Sequence, residues 1–422
     1  MSKKQILHNP KGMHDILPSD QPIWEKIHRA VKEVADFYNY LKIDTPILEN
    51  IQLFERPLGE TSDVVAKQMF VVKTKGGDQL VLRPEGTASI ARAYIQHGLS
   101  HVAQPLKLRY TGPMFRYEQP QAGRFRQFYQ SGFEIVSNDN DPIYDAQVIS
   151  ACYRTIEELK IKNLRVEINS IGCKNCRPAY KKKLSDYYKN KDKKICKDCR
   201  YRLSSNPLRL LDCKDPNCKE LKADAPIFLD SLCIPCSRHF KSVLEYLEEI
   251  KIPYLLNHHL ARGFDYYTKT VFEIFAEGFD FAIAAGGRYD YLIEMLGGRL
   301  SPGVGGAIGL DRLVEIIKIA NINLGIKLKP KIALIHIGEL AKKKSLSLIE
   351  MLRGEGIDVF DLLGKESLTG QFRLANKMES KLALIVGQKE AVEESAIIRD
   401  MKTGAQETVM SNKLAKAIKK RI

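Results

Sequence analysis

Residues 112–135 read GPMFRYEQPQAGRFRQFYQSGFEI. As a strand, the second half of this stretch places Arg126, Phe128, Gln130 and Glu134 on one face, because strand side chains alternate with a period of two. Arg116 belongs to the strand before it. A guanidinium, an aromatic ring, an amide and a carboxylate side by side make a poor core. They suit a ligand that carries phosphates, a flat base and a polar amino acid. The bland alternative is a sheet face turned to solvent.

A second constellation is built from sulfur. Of nine cysteines, eight form four close pairs: Cys173 and Cys176, Cys196 and Cys199, Cys213 and Cys218, Cys233 and Cys236. Paired thiolates at such spacings are what a tetrahedral metal requires. Eight of them fill two four-cysteine sites, or one site with a residual set. Structural zinc is the favoured reading; an iron–sulfur cluster and unligated thiols are the alternatives. Redox use has no thioredoxin-like context around it. Cys152 stands alone in a helix-like stretch and reads as a small buried residue. Between Lys174 and Lys222 the same region carries 16 Lys/Arg against 6 Asp/Glu, a net of +10. A patch this basic suits the phosphates of a nucleic acid.

The first segment resembles motif 2 of the class II aminoacyl-tRNA synthetases, in the wording of the histidyl-tRNA synthetases. Further segments resemble that family in its expected order. IDTPILE, with Pro46, resembles motif 1 of the dimer interface, and LRPEGT at 82–87 the amino-acid-binding loop. LARGFDYYTKTVFE from Leu260 and AAGGRYD from Ala284 resemble the two histidine signatures, and VGGAIGLDRL from Val304 resembles motif 3. Ala261 stands where valine is common and Tyr291 where glycine is common.

The resemblance implies a histidine–tRNA ligase that uses ATP with Mg2+ and takes L-histidine and histidine tRNA. Arg116 would hold the α-phosphate and carboxylate, Arg126 would help to bind ATP, and Phe128 would stack on adenine. Arg312 would hold the γ-phosphate. Arg262 would be the extra catalytic arginine on the α-phosphate, a place that suits a planar, permanently charged fork. Glu134 and Tyr267 would read the imidazole, the one accepting from a ring N–H and the other satisfying the second nitrogen. Glu85, Thr87 and Gln130 would hold the α-ammonium. Tyr266 and Tyr289 would line the histidine pocket, Tyr266 being equally suited to a core. The cysteine-rich stretch falls where the family carries an insertion near the tRNA acceptor stem. It is expected to dock tRNA as a unit separate from the catalytic machinery. The non-catalytic alternative is the regulatory subunit of ATP phosphoribosyltransferase, which resembles the same core.

These residues need elements to position them. A helix is expected from Ser19 to Tyr40, capped by Ser19 or Asp20, with Trp24, Ile27, Val31, Val34 and Phe37 as its apolar stripe. IDTPILE reads as extended, with Pro46 at an edge or a break in pairing. MFVVKT and QLVLRP flank a KGGD turn as a hairpin, and a helix follows around Ala88–Gln96. Residues 106–136 read as two long strands, 145–160 as helix and LRVEINSIG as strand. Beyond the cysteines, PYLLNHHL, TVFEIFA and FAIAAGG read as strands, and SPGVGGAIGLDRLVEII as a strand running into a helix. His258 and His259 alternate faces and read as structural. After a linker at Asn321–Lys329, KIALIHIG, IDVFDLL, LALIVG, SAIIRDM and ETVM read as strands, with helices at KSLSLIEMLRGEG, RLANKMES and LAKAIKK.

The expected fold is α/β: an α+β catalytic core with the antiparallel class II sheet, a cysteine-rich insertion and a C-terminal α/β anticodon-binding domain. The boundaries read as 1–168 and 251–325 for the two parts of the core, 169–250 for the insertion and 326–422 for the last domain. With 422 residues, 44% hydrophobic and 28% charged, the chain can bury a core of ordinary size. Its formal net charge of +15 favours a polyanionic partner. No apolar run is long enough to span a membrane, and the start lacks a secretory h-region, so a cytoplasmic protein is expected; the resemblance of IDTPILE to motif 1 implies a homodimer.

Overall fold

The two stretches within 106–136 form strands Leu106–Phe115 and Gln127–Val136, paired antiparallel from Leu106 opposite Val136 to Phe115 opposite Gln127. In this computed structural model the described residues are 6–58, 64–119, 123–191, 194–213, 215–325 and 332–422. Part of the motif 2 loop, at 120–122, and the end of the expected linker, from 326, lie outside them. The hairpin supplies the second and third strands of an eight-stranded sheet. Across it run Leu41–Lys42, Leu106–Phe115, Gln127–Val136, Gly303–Gly309, Ala284–Arg288, Thr268–Ala276, Leu164–Ser170 and Tyr254–Leu256. All neighbours are antiparallel except the pair at each end.

The period of two then divides the hairpin's side chains. Phe133 and Ile135 face a core built with helices Gln21–Phe37, Ile143–Glu158, Ile234–Glu249 and Leu310–Ile319, through Ile27, Val31, Ile149, Ile156, Val243, Leu247, Leu313 and Ile316. Phe128 and Val136 face the other side, with Tyr110, Tyr266, Tyr267 and Tyr289. The helix Ile234–Glu249 lies in the first core through Phe240, Val243 and Leu247, so the chain returns from the cysteines to the main core before residue 250.

Some local expectations are corrected. The first helix ends at Phe37, whose ring is 77% exposed and rests edge-on against Tyr38; a residue on the last turn has no sheet beneath it. Asp20 holds the cap position without a side-chain bond. The extended reading of IDTPILE, residues 43–49, agrees with the structure, in which its strand is confined to Leu48 and Glu49 and a separate strand precedes it. Leu41–Lys42 joins the large sheet, whereas Leu48–Asn50 pairs in a small sheet with the hairpin Phe70–Lys73 and Gln79–Leu82. Pro46 sits in the break between them, where no N–H is needed. PYLLNHHL keeps only Tyr254–Leu256 as strand.

The chain forms two compact units, Met1–Ile326 and Lys327–Ile422. The second has its own five-stranded sheet, ordered Phe360–Asp361, Ile332–His336, Leu382–Val386, Ser395–Asp400 and Gln406–Met410. Its core packs Leu334, Leu348, Leu352, Leu384, Leu414 and Ile418 between sheet and helices. IDVFDLL contributes only its two central residues as strand, and a short helix, Gln388–Val392, has no counterpart in the pattern reading.

One buried ion pair ties the first unit together. Arg288, 1% exposed, donates from Nε to Asp145 Oδ2 at 2.9 Å, with Asn140 Oδ1 and Asp141 O each 2.8 Å from its other nitrogens. Removing one partner of such a pair leaves an uncompensated buried charge and costs about 3–5 kcal/mol. Asp145→Ala should therefore unfold at markedly lower urea, followed by the fluorescence of Trp24, the single tryptophan, which lies in the same unit's core. A loss below about 1 kcal/mol would show that Asp290, which also faces Arg288, suffices alone.

Candidate active site

A cleft of about 1310 Å³ opens on the tyrosine-bearing face of the large sheet. It brings together Glu85, Thr87, Arg116, Phe128, Gln130, Arg262, Tyr266, Tyr267 and Arg312, which the sequence scatters over more than half of the chain. Arg116 is held by its Nε, which donates to Pro84 O at 2.9 Å. Its guanidinium lies 5.2 Å from the Phe128 ring centre and 5.5 Å from that of Phe264. Arg312 starts the helix Leu310–Ile319, and donates to Gly123 O at 3.1 Å and Ala282 O at 2.5 Å. Arg262 pairs with Glu273 from the strand Thr268–Ala276 and lies 5.8 Å from the Tyr267 ring centre. Burial lowers the pKa of both Arg116 and Arg312, and neighbouring arginines add to this. Three guanidiniums thus converge on one cleft, a charge arrangement that polyphosphate would neutralise.

The floor of the cleft is acidic. Glu85 caps the helix Thr87–Gln96, accepting from Thr87 N at 2.6 Å and Ala88 N at 2.8 Å. Thr87 Oγ1 donates to Glu134 Oε1 at 2.8 Å, and the Tyr289 hydroxyl donates to Glu134 Oε2 at 2.6 Å. Tyr266 Oη stands 3.5 Å from Glu85 Oε2. Burial pushes the Glu134 carboxyl up to about 8; the two hydroxyl donors pull it down, and the nearby Glu85 pushes it up. Glycine makes the space: a Cβ on Gly305 would stand 1.7 Å from Glu134 Oε2, and one on Gly86 or Gly132 would strike the Tyr110 ring at 2.3 Å.

Not every expected residue lies on the cleft wall. Glu134 and Tyr289 are beneath the floor, bonded to each other rather than open to the cleft. Arg126 precedes its strand; its guanidinium stacks 3.8 Å from the Tyr117 ring centre and donates to Glu118 O at 3.2 Å. Tyr110, Phe264 and Glu273 are wall residues that the motif reading did not single out. The period of two in LRYTGPMF, which puts Tyr110 on the face of Gly112 and Met114, could have flagged the first. His259 also lines the cleft, and His258 serves as a backbone acceptor for Asn169.

The eight cysteines form two groups, each with its ligand atoms within 4.8 Å of one another. The outer group is Cys173, Cys176, Cys233 and Cys236; the inner is Cys196, Cys199, Cys213 and Cys218. Around them the segment buries Tyr180, Leu184, Tyr188, Ile195, Leu210, Leu211 and Phe228, more apolar surface than its lysine content suggests. The segment also touches the catalytic face. Arg177 donates to Tyr267 O, Arg209 donates to Gly263 O at 2.6 Å, and Asn206 and Arg209 both bond Asp265 Oδ1, at 3.0 and 3.2 Å.

A family model described as histidyl-tRNA synthetase matches residues 12–313. The chain belongs to the histidyl-tRNA synthetase family. A second family model, anticodon binding domain, matches 331–421, nearly all of the second unit. Among curated members of the family, a histidine–tRNA ligase of Dehalococcoides mccartyi is 42% identical, over 99% of this chain and 100% of that one. One of Thermodesulfovibrio yellowstonii is 42% identical over 97% and 98%. The crystal structure of apo S. aureus histidyl-tRNA synthetase superposes with a TM-score of 0.81 at 31% identity, covering 98% of this chain and all of that one. A structure titled as an ATP phosphoribosyltransferase regulatory subunit/histidyl-tRNA synthetase from Bacillus halodurans scores 0.65 at 22% identity, a likeness of fold alone. Seen as a member of the histidyl-tRNA synthetase family, the chain carries its three cleft arginines together on one face, with the second unit in place.

Proposed function

We propose that the protein is a histidine–tRNA ligase, and that the cleft is where L-histidine, ATP and the end of histidine tRNA meet. The convergence of Arg116, Arg262 and Arg312 above the buried Glu134 carries this reading. ATP with Mg2+ supplies the leaving group, and the histidine carboxylate attacks the α-phosphorus in line. Catalysis is then positioning and charge stabilisation. Arg116 and Arg262 act at the α-phosphate, Arg312 at the γ-phosphate, and Phe128 against adenine, with Arg126 at the mouth. Glu85, Thr87 and Gln130 hold the α-ammonium. Glu134 and Tyr267 read the ring, with Tyr266 and Tyr289 packed beside them. The regulatory-subunit reading has less support, because the arginines and the second unit are both present.

The basic cysteine segment, ordered by structural zinc, contributes to tRNA docking. Motif 1 supports a two-fold homodimer working in the cytoplasm; among the described residues no helix is long and apolar enough to cross a membrane. The deciding experiment is pyrophosphate exchange with each amino acid in turn. Exchange should occur with histidine alone, and the same sample should sediment as a dimer. Comparable exchange with a second amino acid would sink the substrate assignment, and a fully active monomer the dimer.

A further inference from the structure

The cysteine pairs are nested rather than sequential. The first and fourth pairs close the outer site, and the second and third pairs close the inner one. Four sulfurs bound at about 2.3 Å to one tetrahedral ion stand about 3.8 Å apart. The structure places Cys173 Sγ 3.7 Å from Cys176 Sγ and 3.9 Å from Cys233 Sγ, and Cys196 Sγ 3.8 Å from Cys213 Sγ. That spacing fits a single ion in each site. Backbone N–H groups also point at the sulfurs. Cys233 N lies 3.1 Å from Cys176 Sγ, Cys196 N 3.2 Å from Cys218 Sγ, and Cys199 N 3.4 Å from Cys196 Sγ. Such donors stabilise thiolates, which four sulfurs this close need if they are to hold a divalent ion. Gly172 shows how tightly the outer site is made: a Cβ there would stand 2.8 Å from both Cys176 Cβ and the Phe228 ring.

Both sites lead directly to the cleft. Arg177 follows Cys176 and bonds the backbone of residues 265 and 267. Arg209 lies four residues before Cys213, in the turn Pro207–Asp212 that joins the inner pairs. It is 6% exposed, and its Nη2 grips Gly263 O and Asp265 Oδ1. Residues 257–267 form no helix or strand, so these side chains supply the fixing that a sheet ladder would otherwise give. The loop they fix carries Arg262, Tyr266 and Tyr267.

We propose that the segment from Cys173 to Cys236 holds two mononuclear zinc ions in nested four-thiolate sites, and that Arg209, anchored by the inner site, positions the histidine-reading loop 263–267. This rests on the reading of that loop as the wall that selects histidine. Arg209 is a positioning residue: it acts through the loop.

The test uses the full-length protein purified without chelator. Elemental analysis should find two zinc per chain, and Cys213→Ser should lose one of them. Arg209→Ala should keep both and raise the KM for histidine about tenfold in pyrophosphate exchange, the worth of one charge-assisted bond, with little change in the KM for ATP. Arg209→Lys, which can still donate to Gly263 O, should recover part of the loss. Asn206→Ala should show the same pattern in smaller size. Protein without metal overturns the zinc reading, as does iron with visible thiolate absorption. Zinc present with an unchanged histidine KM in both Arg209→Ala and Asn206→Ala overturns the positioning role and leaves the zinc sites standing. Equal rises in both KM values indicate general damage and also overturn it.

Discussion

Arg262→Ala should lower the rate of histidyl-adenylate formation by roughly 10²–10³ while leaving the fold intact, the usual cost of losing a preorganised charge at the developing charge of a transition state. The guanidinium is set for that task. Glu273 pairs with it from an interior strand of the sheet, and the Tyr267 ring lies beside it. Its side chain is 19% exposed, so its charge acts in a partly dried cleft where screening is weak. Arg262→Lys should restore little, because a point charge does not reproduce the fork. The measurement is single-turnover adenylate formation with ATP and histidine saturating, with urea unfolding of both variants as the control. A near-normal single-turnover rate in Arg262→Ala would show that another group carries the α-phosphate charge.

Glu134→Gln should lose roughly 10²-fold in kcat/KM for histidine-dependent exchange, because a carboxyl that can give up its proton and accept from a ring N–H as a carboxylate is replaced by an amide that never carries charge. The amide is nearly isosteric with the carboxyl, and Gly305 keeps clear the space in which a Cβ would stand 1.7 Å from Glu134 Oε2. The same substitution has a signature in stability. Burial raises the Glu134 carboxyl from 4.5 to about 8. Between those values the folded protein holds a proton that the unfolded chain releases. The stabilisation this gives is complete below 4.5 and is lost as pH rises through about 8. Glutamine has no such proton. The variant should therefore gain stability relative to the parent as pH rises from about 6 to about 9, read from urea midpoints at several pH values. A difference that stays flat with pH would mean that Glu134 is ionised throughout and that its two hydroxyl donors outweigh its burial.

The two variants probe different functions: Arg262 supplies positive charge at the phosphate, and Glu134 supplies an acceptor for the ring. Loss at Arg262 with full activity at Glu134→Gln would keep the adenylation chemistry and remove the proposed reader of the ring.

Much of this was legible in sequence because it depends on local period and on residue type. Alternation in Leu106–Phe115 and Gln127–Val136 set which side chains share a face, and Phe128, Gln130 and Glu134 follow it. The strand running into a helix at Gly303–Ile319 was readable from glycine followed by an amphipathic run. Cysteine spacing marked pairs. Where a strand has few residues, pattern failed: Leu41–Lys42 and Leu48–Asn50 belong to different sheets, and nothing local distinguishes their partners.

Residue type and spacing by themselves determined the family's motifs, the guanidiniums and carboxylates available for chemistry, and the thiolates available for a metal. Tertiary structure alone decided which of them meet. It put Glu134 beneath the floor under Tyr289 instead of on the wall, turned Arg126 onto Tyr117, and nested the cysteine pairs first with fourth and second with third. It also carried Arg177, Asn206 and Arg209 to the backbone and side chain of residues 263–267. Apart from Arg126 on Tyr117 and the second cysteine pair on the third, these are contacts between residues about 50 to 150 positions apart, fixed by sheet order and burial, and local periodicity extends over only a few residues.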